Sequence, residues 1–218
     1  MTKGILIAGN PSLLFSALCA EAAKRTEKYA AARIPRYGEA SPLDAPAKQI
    51  SLDWNPPSPI SARTLVLSMI NKINRMDTVI LACVPPVYRR VVEDFSPPDL
   101  DRFTDNNIKG WFFLVREVAA VFKARGSGAL SFVLSEVNPG SRDEAPDLLG
   151  PPATAAFRSF AQGLLNSPLN GFCSTMGFSS SEPGEESAFA AYVFKTMEEE
   201  KRNSGKWHRH GKFGIFGR

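Results

Sequence analysis

Histidine is almost absent from this chain of 218 residues, since His208 and His210 are the only two and both lie near the C terminus. The rest of the chain therefore has no histidine to serve as a general base or as a metal ligand. Hydrolysis by a serine that histidine activates is disfavoured.

Cysteine is also scarce, and Cys19, Cys83 and Cys173 lie far apart in the sequence. This spacing suggests neither a disulfide framework nor a metal cluster. We expect the three thiols to be reduced and buried, and we expect no metal site.

Hydrophobic runs long enough to span a bilayer are missing, so no membrane contact is expected. The apolar stretch near the N terminus is interrupted by Gly9, Asn10 and Pro11, which argues against a secretion signal. The predicted location is cytoplasmic, with export as the alternative.

Strand patterns and helix patterns alternate along the chain, and 44% of its residues are hydrophobic. This alternation predicts one α/β domain over residues 1–218, with a doubly wound parallel sheet of about seven strands and helices on both faces. The helix at 105–125 is the best marked, because Ile108, Trp111, Phe112 and Val115 follow helical spacing.

The opening segment predicts a strand, a tight turn and a helix, as in a Rossmann-like dinucleotide-binding domain. Gly9 permits the turn, Asn10 is the predicted N-cap and Pro11 the first helical residue. Leu13 and Phe15 stand where a nucleotide-binding turn has its later glycines. Pro11 also removes an N–H group from the helix start, so pyrophosphate binding is disfavoured.

Several landmarks in order resemble the short-chain dehydrogenase/reductase family. Residues 50–54, which include Asp53, resemble the third strand, residues 77–85 resemble the fourth strand, and a long helix and a fifth strand come after it. The resemblance implies that Gly9 and Asp53 would contact the cofactor. It also implies that Asn107 and Ser135 match the catalytic Asn and Ser of the family.

The Tyr and Lys of the family, one helical turn apart, have no counterpart. Their positions fall at about Gly150 and Thr154, and neither Tyr nor Lys occurs anywhere between Pro139 and Ala191. The family's chemistry needs a phenol whose pKa a nearby ammonium lowers. We therefore expect a degenerate member with no catalytic residues. A later pair, Tyr192 and Lys195, is interpreted as a surface pair.

Three functions stay open at this stage. The favoured one is a non-enzymatic structural or regulatory subunit with weak or no cofactor binding. The alternatives are an oxidoreductase that uses NAD or NADP through an atypical site, and a small-ligand module in which Leu13 and Phe15 line a pocket. The resemblance implies a homodimer or homotetramer formed by the helices near 105–125 and 153–166, through the apolar side chains Trp111, Phe113, Phe157, Phe160 and Leu164.

The net charge of +4 comes from the C-terminal end, where seven Lys or Arg face three Glu from Lys195 onward. The basic segment 201–218 interleaves these charges with Trp207, Phe213 and Phe216, a pattern that could bind nucleic acid. The preferred interpretation is a last strand at 212–216. Two loops, 136–152 and 178–186, are expected to flank the cleft, and the carboxylates of Asp143, Glu144 and Asp147 in the first are the only other acid/base candidates.

Overall fold

The sheet has seven parallel strands in the order β3-β2-β1-β4-β5-β6-β7. The structure is a computed structural model that describes residues 3–34, 47–85, 87–136, 146–182, 184–199 and 204–211. The strands are β1 Ile5–Gly9, β2 Tyr29–Arg33, β3 Gln49–Leu52, β4 Thr78–Cys83, β5 Ala129–Ser135, β6 Ser174–Ser180 and β7 Lys206–His210. The predicted doubly wound sheet is confirmed.

Six α-helices connect the strands and cover both faces of the sheet. They are α1 Leu13–Arg25, α2 Pro59–Ile73, α3 Pro97–Thr104, α4 Gly110–Arg125, α5 Gly150–Leu165 and α6 Glu186–Glu198. Helices α2, α4 and α5 pack on one face, around Trp54, Trp111 and Phe157. Helices α1 and α6 pack on the other face, around Phe15 and Phe189.

The start of α1 differs from the sequence prediction by two residues. Ser12, not Asn10, is the N-cap, because its hydroxyl oxygen accepts the N–H of Phe15 at 3.1 Å. Pro11 therefore precedes the helix and removes none of its N–H groups. The prediction failed because Asn, Pro and Ser in succession offer two equally good cap positions.

The predicted helix at 105–125 is two elements, and α3 directly precedes them. Helix α3 ends at Thr104, a π-helical turn covers Asp105–Lys109, and α4 continues from Gly110. A π turn contains an extra residue and so shifts the helical phase. As a result Trp111 and Val115 are buried, whereas Phe112, which the spacing from Ile108 placed in the core, is 54% exposed.

The last two strands also differ from the prediction. β6 runs to Ser180, so residues 178–180 are a buried strand end and not part of the predicted loop at 178–186. The seventh strand is Lys206–His210, whereas the predicted strand at 212–216 lies outside the described residues. The alternation of Trp207 and Arg209 with His208 and His210 gives this strand its two faces.

The part of the chain that the structure describes contains no helix long and apolar enough to cross a membrane. It also contains no group of His, Cys, Asp or Glu that could hold a metal ion. All three cysteines are buried, as predicted, and they are not joined in disulfides. Burial raises the pKa of the Cys19 thiol to about 12, against the opposing effect of Arg33, so this thiol is not an activated nucleophile.

Candidate functional site

The order of the strands reverses between β1 and β4, and ligands of doubly wound folds bind beyond the carboxyl ends of the strands at such a point. Gly9 ends β1 at this crevice. A Cβ on Gly9 would collide with the carbonyl oxygen of Ala82 in β4, and the N–H of Asn10 also points at that oxygen, at 3.3 Å. Gly9 is therefore required for the close approach of two strands.

The two residues at the later glycine positions point in different directions. Leu13, the first residue of α1, is 74% exposed, whereas Phe15 is 1% exposed and belongs to the core between α1 and the sheet. The expectation that both line a pocket is therefore wrong. Phe15 lies on the buried face of α1, whereas Leu13, the first residue of the helix, is exposed to solvent.

Three further polar residues lie at or just beyond the carboxyl ends of β1, β2 and β3. The guanidinium of Arg33, at the end of β2, lies 5.6 Å from the centre of the Phe15 ring. Asp53, the predicted adenine contact, directly follows β3 and is exposed. The side-chain oxygen of Asn10 is buried and has no hydrogen-bond partner.

This turn does not fit the pyrophosphate of a dinucleotide. A fitting turn presents free N–H groups and glycines that let the backbone approach the phosphates. Here the hydroxyl of Ser12 already occupies the N–H of Phe15, and the buried Asn10 Oδ1 is an acceptor like the phosphate oxygens themselves. Leu13 and Phe15 each carry a side chain where a glycine is needed.

Asn107 lies in the π-helical turn and is 3% exposed. Its Nδ2 donates to the carbonyl oxygen of Phe103 at 3.0 Å, one turn earlier, while its Oδ1 is buried without a partner. A buried acceptor without a donor costs free energy. Asn107 is thus held in place from one side only.

Ser135 ends β5 and is partly buried, and Glu136 follows it directly. Arg158 of α5 donates through Nη2 to Glu136 Oε1, and its guanidinium lies 5.2 Å from the centre of the Trp207 ring. Burial alone would raise the pKa of Glu136, but hydrogen bonds from Ser179 and Arg158 outweigh it and lower this pKa. Glu136 is therefore a fixed anion and a poor proton donor.

Gly150, near which the sequence predicts the Tyr position, is the first residue of α5 and is buried. Its N–H donates to Asp147 Oδ1 at 2.9 Å, and that oxygen also accepts the N–H groups of Leu149 at 3.3 Å and Tyr88 at 3.0 Å. A Cβ on Gly150 would collide with Asp147 Oδ2. Thr154, at the Lys position, only donates its hydroxyl to the carbonyl oxygen of Gly150 at 3.0 Å.

Tyr88 is the tyrosine that the structure brings to this edge of the sheet. It packs with Phe95 and Ile108 against a small buried cluster formed by Phe103, Leu149 and Ala153. Burial raises the pKa of Tyr88, more than the opposing effect of Arg102 lowers it. A general acid/base phenol needs the opposite shift.

The sequence analysis missed the link between Tyr88 and Asp147. The two residues are far apart in the chain, and Arg89 and Asp147 form an isolated antiparallel bridge that no periodic pattern announces. The available signal was an Asp just ahead of a helix start, which is typical of a cap. Asp147 precedes Leu149, the N-cap of α5, and accepts the N–H groups of Leu149 and Gly150; the other two loop carboxylates, Asp143 and Glu144, lie outside the described residues.

The later Tyr and Lys form no site. Tyr192 packs edge-on against Phe178 at 6.3 Å and lies 5.3 Å from the His210 ring, whereas Lys195 is exposed. Trp207 is also engaged within the fold, because its Nε1 donates to Ser179 Oγ at 3.1 Å. Of the aromatic residues proposed to stack on nucleic acid, Phe213 and Phe216 lie outside the described residues.

A groove of about 560 Å³ runs between α4 and α5. Apolar side chains dominate its lining, and the rings of Phe112 and Phe160 lie 4.2 Å apart there. Arg116 and Lys123 supply positive charge. Two of the residues predicted for an outward face, Trp111 and Phe157, are instead buried and pack on each other at 5.2 Å.

No protein-family model matches this sequence, and no curated protein sequence matches it either. Solved structures do match. A short chain dehydrogenase from Bacillus anthracis superposes with a TM-score of 0.78 at 11% identity, over 99% of each chain. An NADH-dependent reductase A1-R′ complexed with NAD gives 0.75 at 15% identity over 99% of this chain and 97% of the other. Levodione reductase gives 0.74 at 13% identity over 96% of each.

These likenesses show that the chain has the fold of short-chain dehydrogenases and reductases, as the resemblance in the sequence implied. They extend over nearly the full length of each chain. The fold alone does not carry a function, so the function rests on the residues at the carboxyl edge of the sheet.

Proposed function

We propose that this chain is a catalytically degenerate relative of the short-chain dehydrogenases/reductases, and that it serves as a non-enzymatic oligomeric subunit in the cytoplasm. The observation that carries the proposal is the start of α5. Asp147 fills the space beside Gly150 and is held by three N–H groups. A side chain at the Tyr position is excluded as long as this aspartate stays.

The proton chemistry of the family is missing for a second reason. A phenol with a lowered pKa requires a cation beside it. Tyr88 has a raised pKa because of burial, and Thr154 stands where the family has its lysine. The side chains of Glu136 and Asp147 offer no substitute, since each already accepts hydrogen bonds.

The turn after β1 supports weak or no binding of NAD and NADP. Phosphate binding at a helix start depends on free N–H groups and close backbone approach. Ser12 caps α1 and Leu13 extends into solvent at its first residue. We expect Gly9 to act in strand packing and Asp53 to remain a solvated carboxylate.

The oligomer is proposed to form through the groove between α4 and α5. Exposed apolar surface of this kind generally marks a contact. Phe112 is 54% exposed and pairs with Phe160 across the two helices. A twofold arrangement would place each copy of this groove against the other and so give a homodimer, or a homotetramer with a second contact.

An oxidoreductase with an atypical site is the second candidate. It is favoured by the buried Asn107, whose Oδ1 lacks a partner, and by the names of the similar structures, which are reductases and dehydrogenases. It needs NAD or NADP to bind. The two candidate functions therefore differ in whether NAD or NADP binds to the protein.

The mass of the protein in solution, measured by light scattering with and without NADH, tests the proposal. A stable dimer or tetramer with the same mass and the same melting temperature in both samples is expected. A monomer would contradict the proposed assembly, and a melting temperature that rises with NADH would support the oxidoreductase.

A further inference from the structure

The connection from β4 to α3 passes over the carboxyl edge of the sheet to the start of α5. We name residues 87–96 the strap. The bridge between Arg89 and Asp147 and the hydrogen bond from Tyr88 N–H to Asp147 Oδ1 fix its path. The strap then enters a 3-10 turn at Val92–Asp94 and reaches the N-cap of α3 at Ser96.

We propose that the strap opens as a unit, that the bond between Tyr88 and Asp147 holds it closed, and that its opening controls access to Asn107. The inference goes beyond the proposed function and holds whether or not the protein catalyses a reaction. It concerns residues that the family resemblance did not single out.

The strap is held by few apolar contacts. None of its residues is buried, and only Tyr88 and Phe95 are even partly so. Their rings meet edge-on at 6.3 Å above the small cluster of Phe103 and Leu149. A segment with so little buried apolar surface opens at a free energy well below that of global unfolding.

The polar contacts allow the strap to open without damage to α5. Asp147 Oδ1 accepts one N–H from the strap and two from the start of the helix, at Leu149 and Gly150. Opening breaks the first bond together with the bridge between Arg89 and Asp147, and it leaves the two bonds to the start of the helix in place. The only ion pair described between the strap and α3 joins Arg90 and Asp99 at 3.6 Å, and it is too exposed to add much.

Opening of the strap would also give solvent access to a buried polar atom that has no hydrogen-bond partner. Asn107 Nδ2 is bonded to the carbonyl oxygen of Phe103, a member of the cluster on which the strap rests. Asn107 Oδ1 is buried without a partner in the closed state. Access of water or of a polar ligand to this oxygen would recover part of the free energy that its burial costs.

Hydrogen exchange measured by NMR tests this inference on the full-length protein. In the wild type, the amide of Tyr88 should exchange at least about a hundredfold faster than the amides of Val79 to Leu81 in β4, because it opens locally. The side-chain amide of Asn107 should exchange at a rate close to that of Tyr88.

Variants at Asp147 test the bond that holds the strap closed. In Asp147→Ala, the amide of Tyr88 should exchange about tenfold faster or more, while those of β4 and β5 stay within about twofold. Asp147→Asn keeps an oxygen acceptor, so the exchange rate of its Tyr88 amide should lie between those of the wild type and Asp147→Ala. Asp53→Ala, which removes an exposed carboxylate from the same edge, is the control and should leave Tyr88 unchanged.

Equal exchange rates for Tyr88 and β4 in the wild type would overturn the proposal, since the strap would then open only with the whole protein. So would an unchanged Tyr88 rate in Asp147→Ala. If Tyr88 accelerates while the Asn107 side chain does not, the strap opens but does not control access. Should Asp147→Ala fail to fold, the wild-type comparison and Asp147→Asn decide the outcome. None of these readings depends on cofactor binding.

Discussion

Asp147 and Gly150 are in direct contact at the start of α5. One carboxylate oxygen of Asp147 accepts the N–H of Gly150 at 2.9 Å, and the other occupies the space that a Cβ on Gly150 would need. The family resemblance in the sequence predicts the position of the catalytic Tyr at about Gly150. Asp147 and the catalytic side chain are thus mutually exclusive in this geometry.

Gly150→Ala should lower the free energy of unfolding by about 1–3 kcal/mol, because the new methyl group displaces a carboxylate that three N–H groups hold. Urea denaturation measures the change. The matched control is Gly163→Ala in the same helix, where a Cβ meets nothing within 4 Å. There the substitution should stabilise by about 0.5–1 kcal/mol. Equal effects at the two sites would contradict this account of α5.

Phe15→Gly restores a family glycine and should cost about 4 kcal/mol of stability, because Phe15 is 1% exposed in the core. Leu13→Gly restores the other glycine and should cost less than about 1 kcal/mol, because Leu13 is 74% exposed. Thermal and urea unfolding compare the two. A loss below about 1 kcal/mol for Phe15→Gly would mean that its ring does not fill the core.

Asp77 links the starts of β1 and β4 to the end of α4. Its carboxylate accepts hydrogen bonds from the N–H of Gly4 at 2.7 Å, from Arg75 at 2.7 Å and from Arg125 at 2.8 Å. Burial alone would raise the pKa of Asp77, but these bonds outweigh it and lower the pKa to about 2.

This lowered pKa predicts how stability depends on pH. The folded state favours the ionised carboxylate, so the stabilisation of about 2 kcal/mol is present above the ordinary pKa of 3.8 and is lost as the pH falls toward about 2. Asp77→Asn should remove it at neutral pH and flatten the curve in that acid range. Asp53→Asn, at an exposed site, should change stability by less than about 0.5 kcal/mol. A variant curve parallel to that of the wild type would refute the prediction.

The groove between α4 and α5 predicts the effect of Phe112→Asp. A charge beside Phe160 should dissociate the oligomer and raise the apparent dissociation constant by at least about a hundredfold, because aromatic anchors dominate contacts of this kind. Sedimentation velocity across a concentration series measures it. The control is Ile60→Asp, which changes a side chain that is 77% exposed and lies outside the groove. This variant should leave the mass unchanged. If neither variant changes the mass, the contact lies elsewhere.

The sequence predicted the sheet because buried strands and helix stripes have distinct periods, and the seven strands were found close to where those periods changed. It misplaced Phe112 because a π turn at Asp105–Lys109 breaks the helical phase, and no residue pattern marks such a turn. It did not predict β7 at Lys206–His210, and the strand predicted at 212–216 lies outside the described residues.

The candidate site was predicted in part. The absence of Tyr and Lys from residues 139–191 is a property of the sequence alone, and the placement of the family's Tyr and Lys at about Gly150 and Thr154 stays a prediction. The roles of Tyr88 and Asp147 could not be predicted, because they depend on a contact between residues that are distant in the chain. The direction of Phe15 depended on where α1 begins, which Ser12 decides.

Direct titration with NADH and NADPH tests the central claim most directly. Cofactor fluorescence and thermal shift should be recorded on protein whose mass has been determined in the same buffer, beside an active short-chain reductase as the positive control. The account predicts no saturable signal and no thermal shift up to about millimolar cofactor, with an unchanged oligomer. Saturable binding in the micromolar range would contradict it and would make the crevice at β1 and β4 a working cofactor site.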